Sequence, residues 1–98
     1  MKHLCILTEQ DLRLAESIYL KLREESNAMI FLYDHSEFSF YIFGGCALLL
    51  EDIINELDVS TIYKQSTFDN KPYYKIQRCR LTFLVYELVA RDIEIRLI

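Results

Sequence analysis

Apolar residues recur at spacings of three and four near the start of the chain: Leu12, Ala15, Ile18, Tyr19 and Leu22 make one stripe, the signature of an amphipathic helix. Thr8-Glu9-Gln10-Asp11 fits its beginning, with a hydroxyl to cap a free backbone N–H and acids at the positive end, and Glu24-Glu25-Ser26-Asn27 ends it. The pattern then changes. Ala28 to Tyr33 is short, continuous and aromatic, and reads as a buried strand. Asp34-His35-Ser36-Glu37 is a polar break of hairpin-loop length before a second aromatic strand, Phe38 to Phe43, stopped by Gly44-Gly45.

Helical spacing returns from Cys46 to Leu57, with Ala47, Leu50, Ile53, Ile54 and Leu57 inward and Glu51, Asp52, Asn55 and Glu56 toward water. Val59 to Lys64 alternates and predicts a strand. Ser66 to Pro72 predicts a loop, because it holds Asp69-Asn70 and the only proline. Tyr73 to Gln77 fits either a short strand or an extended arm. Leu81 to Arg91 predicts a third helix, and Ile93, Ile95 and Leu97 a last strand. The expected fold class is α/β (α+β): a single mixed β-sheet of about five strands with about three helices packed on it. At 98 residues the whole chain, 1–98, is expected to be one domain.

Composition narrows the function classes. The chain is 52% hydrophobic, so it can bury a core and is not disordered. Its 11 basic and 15 acidic side chains give a net charge of −4, the wrong sign for a general phosphate-binding coat. No apolar run is long enough to span a bilayer, and no signal peptide is recognisable, so no membrane partner is expected. Cys5, Cys46 and Cys79 are odd in number and form no C-x-x-C pair. They read as buried thiols in a reducing, cytoplasmic setting, with no metal site.

Candidate chemistry is sparse. His3 and His35 have no evident catalytic companions, and His35 reads as a solvated loop residue. Gly44-Gly45 lacks the spacing of a phosphate-binding loop, and Glu24-Glu25 and Glu51-Asp52 diverge on a helix rather than meeting at one point. No enzyme and no cofactor are expected. One segment departs from the acidic average: Lys71 to Tyr86 carries Lys71, Lys75, Arg78 and Arg80 without an acid, interleaved with Tyr73, Tyr74, Phe83 and Tyr86. Cations with aromatics can neutralise phosphate and stack on bases. The competing reading is a solvated strand edge.

Several motifs in order carry a family resemblance. Tyr19-Leu20-Lys21-Leu22-Arg23, Met29 to Tyr33, Glu37-Phe38 and Phe43-Gly44-Gly45-Cys46-Ala47 follow one another. Pro72-Tyr73, Leu84 to Ala90 and Ile93-Glu94-Ile95 come later. Over about residues 12–98 the chain resembles the N-terminal mismatch-recognition domain (domain I) of the DNA mismatch repair protein MutS. The resemblance implies a MutS domain I-like fold and DNA contact through the hairpin, with Phe38 as the aromatic wedge if Glu37-Phe38 matches the family motif. Aligned backward from Phe43, Ser39 and Tyr41 take the reading positions instead. Neither alignment supplies the glutamate that contacts the base in that family, and Tyr74 stands where the family has histidine. The candidate nucleic-acid contacts are Phe38, Tyr41, Tyr73, Tyr74, Lys75, Arg78 and Arg80. The alternative is a protein-interaction module, homodimerising or adaptor-like, because 7 Tyr and 6 Phe are hard to bury in so small a domain.

Overall fold

The computed structural model describes residues 9–98. The element order is α1 (Glu9–Glu25), β1 (Met29–Asp34), β2 (Ser39–Phe43), α2 (Gly44–Glu56), β3 (Gln65–Phe68), β4 (Lys71–Gln77), α3 (Arg78–Ala90) and β5 (Ile95–Leu97). The five strands form one mixed sheet in the order β3-β4-β2-β1-β5. It is antiparallel throughout except for the parallel β1–β5 pair. The α+β architecture expected from the hydrophobic pattern is therefore present. His3, Cys5 and the expected cap Thr8 lie outside the described residues.

The register sorts the side chains of the sheet. Tyr41 is opposite Leu32 on one side and Lys75 on the other, so these three share a face with Phe43 and Tyr73. Helix α1 covers that face: Tyr19 packs its ring 6.4 Å from Phe43, and Lys71 reaches Glu16 at 3.0 Å. Phe31, Phe40, Ile42, Tyr74 and Ile76 point to the other face, where α2 and α3 lie. Among the described residues no buried side-chain polar atom lacks a partner.

Two helix ends explain where the observed elements differ from the expected ones. Helix α2 stops with Asp58 at φ 56°, whose N–H donates to the Asn55 carbonyl while Val59 N–H donates to Ile54. Helix α3 stops in the same way, with Asp92 at φ 60° donating to Val89 and Ile93 to Leu88. Both are Schellman ends, in which the next apolar residue folds back onto the helix. Val59 and Ile93 accordingly pack on the core. The segment Val59–Lys64, expected as a strand, is instead a series of turns: Ile62 and Tyr63 both donate to the Val59 carbonyl, and Tyr63 alone is fully buried.

The strand is displaced into the segment expected as a loop. Gln65–Phe68 pairs with β4 through a two-residue turn in which Asp69 and Asn70 have φ 54° and 62°, the primed geometry that matches strand twist. Pro72 does not break this arrangement, because β4 pairs with β2 only from Tyr73 onward and no bond to β2 needs its missing N–H. Tyr73–Gln77 is interior strand rather than an extended arm. Helix α3 begins three residues earlier than expected, so Arg78, Cys79 and Arg80 are helical. Helix α2 likewise begins at Gly44, ahead of the expected Cys46. Gly44 is required there. Its φ is +59°, and a Cβ would stand 2.8 Å from Tyr19 Cε2.

Candidate recognition surface

The hairpin loop between β1 and β2 is built by local hydrogen bonds. Asp34 Oδ1 accepts from the Ser36 N–H at 2.9 Å and its hydroxyl at 2.6 Å, which folds the loop over itself. The loop closes at Phe38, which has φ 52° and is 64% exposed. Its carbonyl accepts the N–H of Arg78 at 3.2 Å, so the tip of the hairpin is tied to the first residue of α3.

The seven residues expected to meet nucleic acid do not converge. Tyr41 is buried. Its hydroxyl donates to Glu37 Oε2 at 2.8 Å, and burial together with that carboxylate pushes its pKa far above the ordinary tyrosine value. Lys75 Nζ sits 2.7 Å from the same Oε2. Tyr73 is half-buried in a ring cluster, 5.8 Å from Phe43 and 6.2 Å from Tyr41. Tyr74 is buried on the opposite face, and desolvation, then the charge of Glu51, raises its pKa. Arg80 is exposed, but its guanidinium donates to the Ile62 carbonyl at 3.0 Å while its own carbonyl accepts the Tyr63 hydroxyl at 2.8 Å. Only Phe38 and Arg78 remain together, exposed and adjacent. The basic stretch that stands out in the sequence is thus largely consumed within the fold: Lys71 binds Glu16, Lys75 binds Glu37 and Arg80 braces a turn.

Other candidate groups are placed as follows. His35 is exposed, with its ring edge-on to Tyr33 at 4.4 Å. Cys46 is buried, and its thiol accepts from the Tyr19 hydroxyl at 3.6 Å. Cys79, expected to be buried, is exposed on α3. Among the described residues no three potential metal ligands come together, and no helix is long and apolar enough to cross a membrane.

The surface feature that sequence reading missed lies on α3. Its buried side carries Leu81, Leu84 and Leu88. Its solvent side carries Cys79, Phe83, Tyr86 and Ala90, all exposed, at successive spacings of four, three and four. That is the a/d rhythm of a helix-pairing seam. Tyr86 is 72% exposed and Phe83 42%, the latter with its ring stacked 6.3 Å from Tyr63. The signal was present in the sequence, but a helix taken to begin at Leu81 leaves Cys79 out, and Phe83 and Tyr86 then read as companions of the basic residues. No protein-family model matches the chain, and no curated protein or solved structure does.

Proposed function

We propose that this chain is a non-catalytic interaction module that self-associates through the solvent face of α3. The observation that carries this reading is the seam of Cys79, Phe83, Tyr86 and Ala90. It is a continuous apolar line along a helix about 20 Å long, on the side that faces away from its own core. A solvated helix face carries charge at such positions, whereas a face that pairs with another helix carries apolar residues in this rhythm. Self-pairing suits the seam because it has no charge to specify a different partner, and Glu87 is turned aside to Arg91 at 2.9 Å. Two copies of α3 crossing near Phe83 and Tyr86 would bury the largest exposed aromatics of the helix. The free thiols Cys46 and Cys79 support a cytoplasmic, reducing setting.

Light scattering over a concentration series tests this. The native chain is expected to reach a dimer and Tyr86→Glu to stay monomeric. Leu48→Glu, at an exposed site on α2, should dimerise as the native chain does. A native chain that is monomeric at every concentration overturns the proposal.

A second reading, contact with DNA in the manner implied by the resemblance to MutS domain I, is favoured by one observation. An exposed aromatic, Phe38, is held in an unfavourable backbone conformation beside Arg78, whose guanidinium has no partner among the described residues. Fluorescence anisotropy with mismatched and perfect duplexes at low salt tests it. Absence of binding at micromolar duplex removes this reading without touching the first.

A further inference from the structure

A groove of about 610 Å³ opens where the hairpin, the first two turns of α3 and the end of β5 meet. Its size is that of sites for small organic ligands. The sheet supplies Tyr33 and Phe40, whose rings lie 4.6 Å apart; α3 supplies Leu81 and Val85; β5 and the residue after it supply Leu97 and Ile98. The remaining lining groups are Arg78, His35 and Thr82.

Three observations define what would occupy this groove. The first is its walls, which are aromatic and aliphatic and favour an apolar body. The second is the charge distribution: no aspartate or glutamate lines the groove, although the chain as a whole is at −4. The third is Arg78. The guanidinium groups of Arg13, Arg23, Arg80 and Arg91 are all engaged with carboxylates or carbonyls, whereas those of Arg78 and Arg96 have no partner among the described residues, and of these two only Arg78 lines the groove. Arg78, Leu81, Thr82 and Val85 fall at i, i+3, i+4 and i+7, so one side of α3 offers a cation, a hydroxyl and two apolar side chains along the same line.

We infer that the groove binds a small amphipathic carboxylate, with its apolar body against Tyr33, Phe40, Leu81 and Val85 and its carboxylate on Arg78. A planar guanidinium grips a carboxylate with two parallel hydrogen bonds, which a neutral or cationic head cannot reproduce. The site is centred on a different side of α3 from the pairing seam, which it borders at Thr82, and goes beyond the self-association reading without resting on it.

Decanoate is the probe, titrated below its micelle concentration into isotope-labelled protein and followed by amide chemical shifts. The expected result is saturable movement of Arg78, Thr82, Val85 and Ile98, with decyltrimethylammonium at least about tenfold weaker. Arg78→Gln should weaken decanoate by about tenfold, and Thr82→Trp, a bulky change at an exposed helix position, should block it. Circular dichroism checks that both variants are folded. Repeating the titration on Tyr86→Glu separates the two proposals, since groove binding should survive loss of self-association. The inference is overturned by unmoved groove amides at saturating decanoate, by equal binding of the cationic probe, or by undiminished binding to Arg78→Gln.

Discussion

Phe38 shows how much a single residue can reveal about where a surface is under demand. A bulky side chain at φ 52° is strained by contact between its Cβ and the backbone, and the cost is about 1 kcal/mol. Nothing in the packing repays it, since the ring is mostly in solvent. Glycine removes the clash, and the loop keeps its other restraints: the Asp34–Ser36 bonds and the Arg78 N–H on the carbonyl of residue 38. Phe38→Gly is therefore expected to raise stability by about 0.5–1 kcal/mol, or a few degrees in Tm. Thermal unfolding reads this directly, and a lower Tm would show that the ring packs in a way that its exposure does not suggest. Glu37, next to it, works in the opposite sense, holding the Tyr41 hydroxyl and the Lys75 ammonium on one carboxylate oxygen.

At the scale of elements, the helix ends decide how the rest of the chain is read. Asp58 and Asp92 occupy the left-handed position that glycine fills most readily. Asp58→Gly and Asp92→Gly should each stabilise by about 0.5–1 kcal/mol, additively because the two ends are separate. Chemical denaturation of the two singles and the double checks both the sign and the sum. The same two aspartates account for what the sequence did and did not disclose. Buried runs such as Met29–Tyr33 and Tyr41–Phe43 were legible as strands because burial on both faces leaves a continuous apolar signal. Val59–Lys64 imitated an alternating strand because Val59 is the apolar residue of a Schellman end and Tyr63 an isolated anchor. The true strand β3 is exposed, polar and at an edge, so it carries no hydrophobic period, and Asp69-Asn70 was readable only as a turn without its strands. The candidate site was legible in part: Phe38 and Arg78 were named, but the burial of Tyr41 and Tyr74 depends on which face each strand residue takes.

Across the whole molecule, the aromatic surplus becomes a statement about pH. Tyr19, Tyr41, Tyr63 and Tyr74 are buried, and all four have pKa values raised above the ordinary tyrosine value of 10.0, with burial the largest cause in each. Their partners differ: the Cys46 thiol for Tyr19, Glu37 for Tyr41, the Arg80 carbonyl for Tyr63, and the charge of Glu51 near Tyr74. Below pH 10 each hydroxyl is protonated both folded and unfolded, so the stability linked to it is fully present. Above pH 10 the unfolded chain releases these protons while the folded chain keeps them, so the unfolded state gains and stability falls as pH rises. Each such tyrosine removes up to about 1.4 kcal/mol per pH unit. Against a total stability of about 5–15 kcal/mol, four acting together should unfold the domain within a few pH units of 10. Tyrosinate absorbance and far-ultraviolet circular dichroism, followed together through the alkaline range, are expected to show the four buried tyrosines, out of seven in the chain, ionising in one cooperative step that coincides with loss of helix. Smooth ionisation with the helix signal intact would mean that water reaches these hydroxyls, and the two faces of the sheet would then be less tightly closed by their helices than the packing of Tyr19 on Phe43 implies.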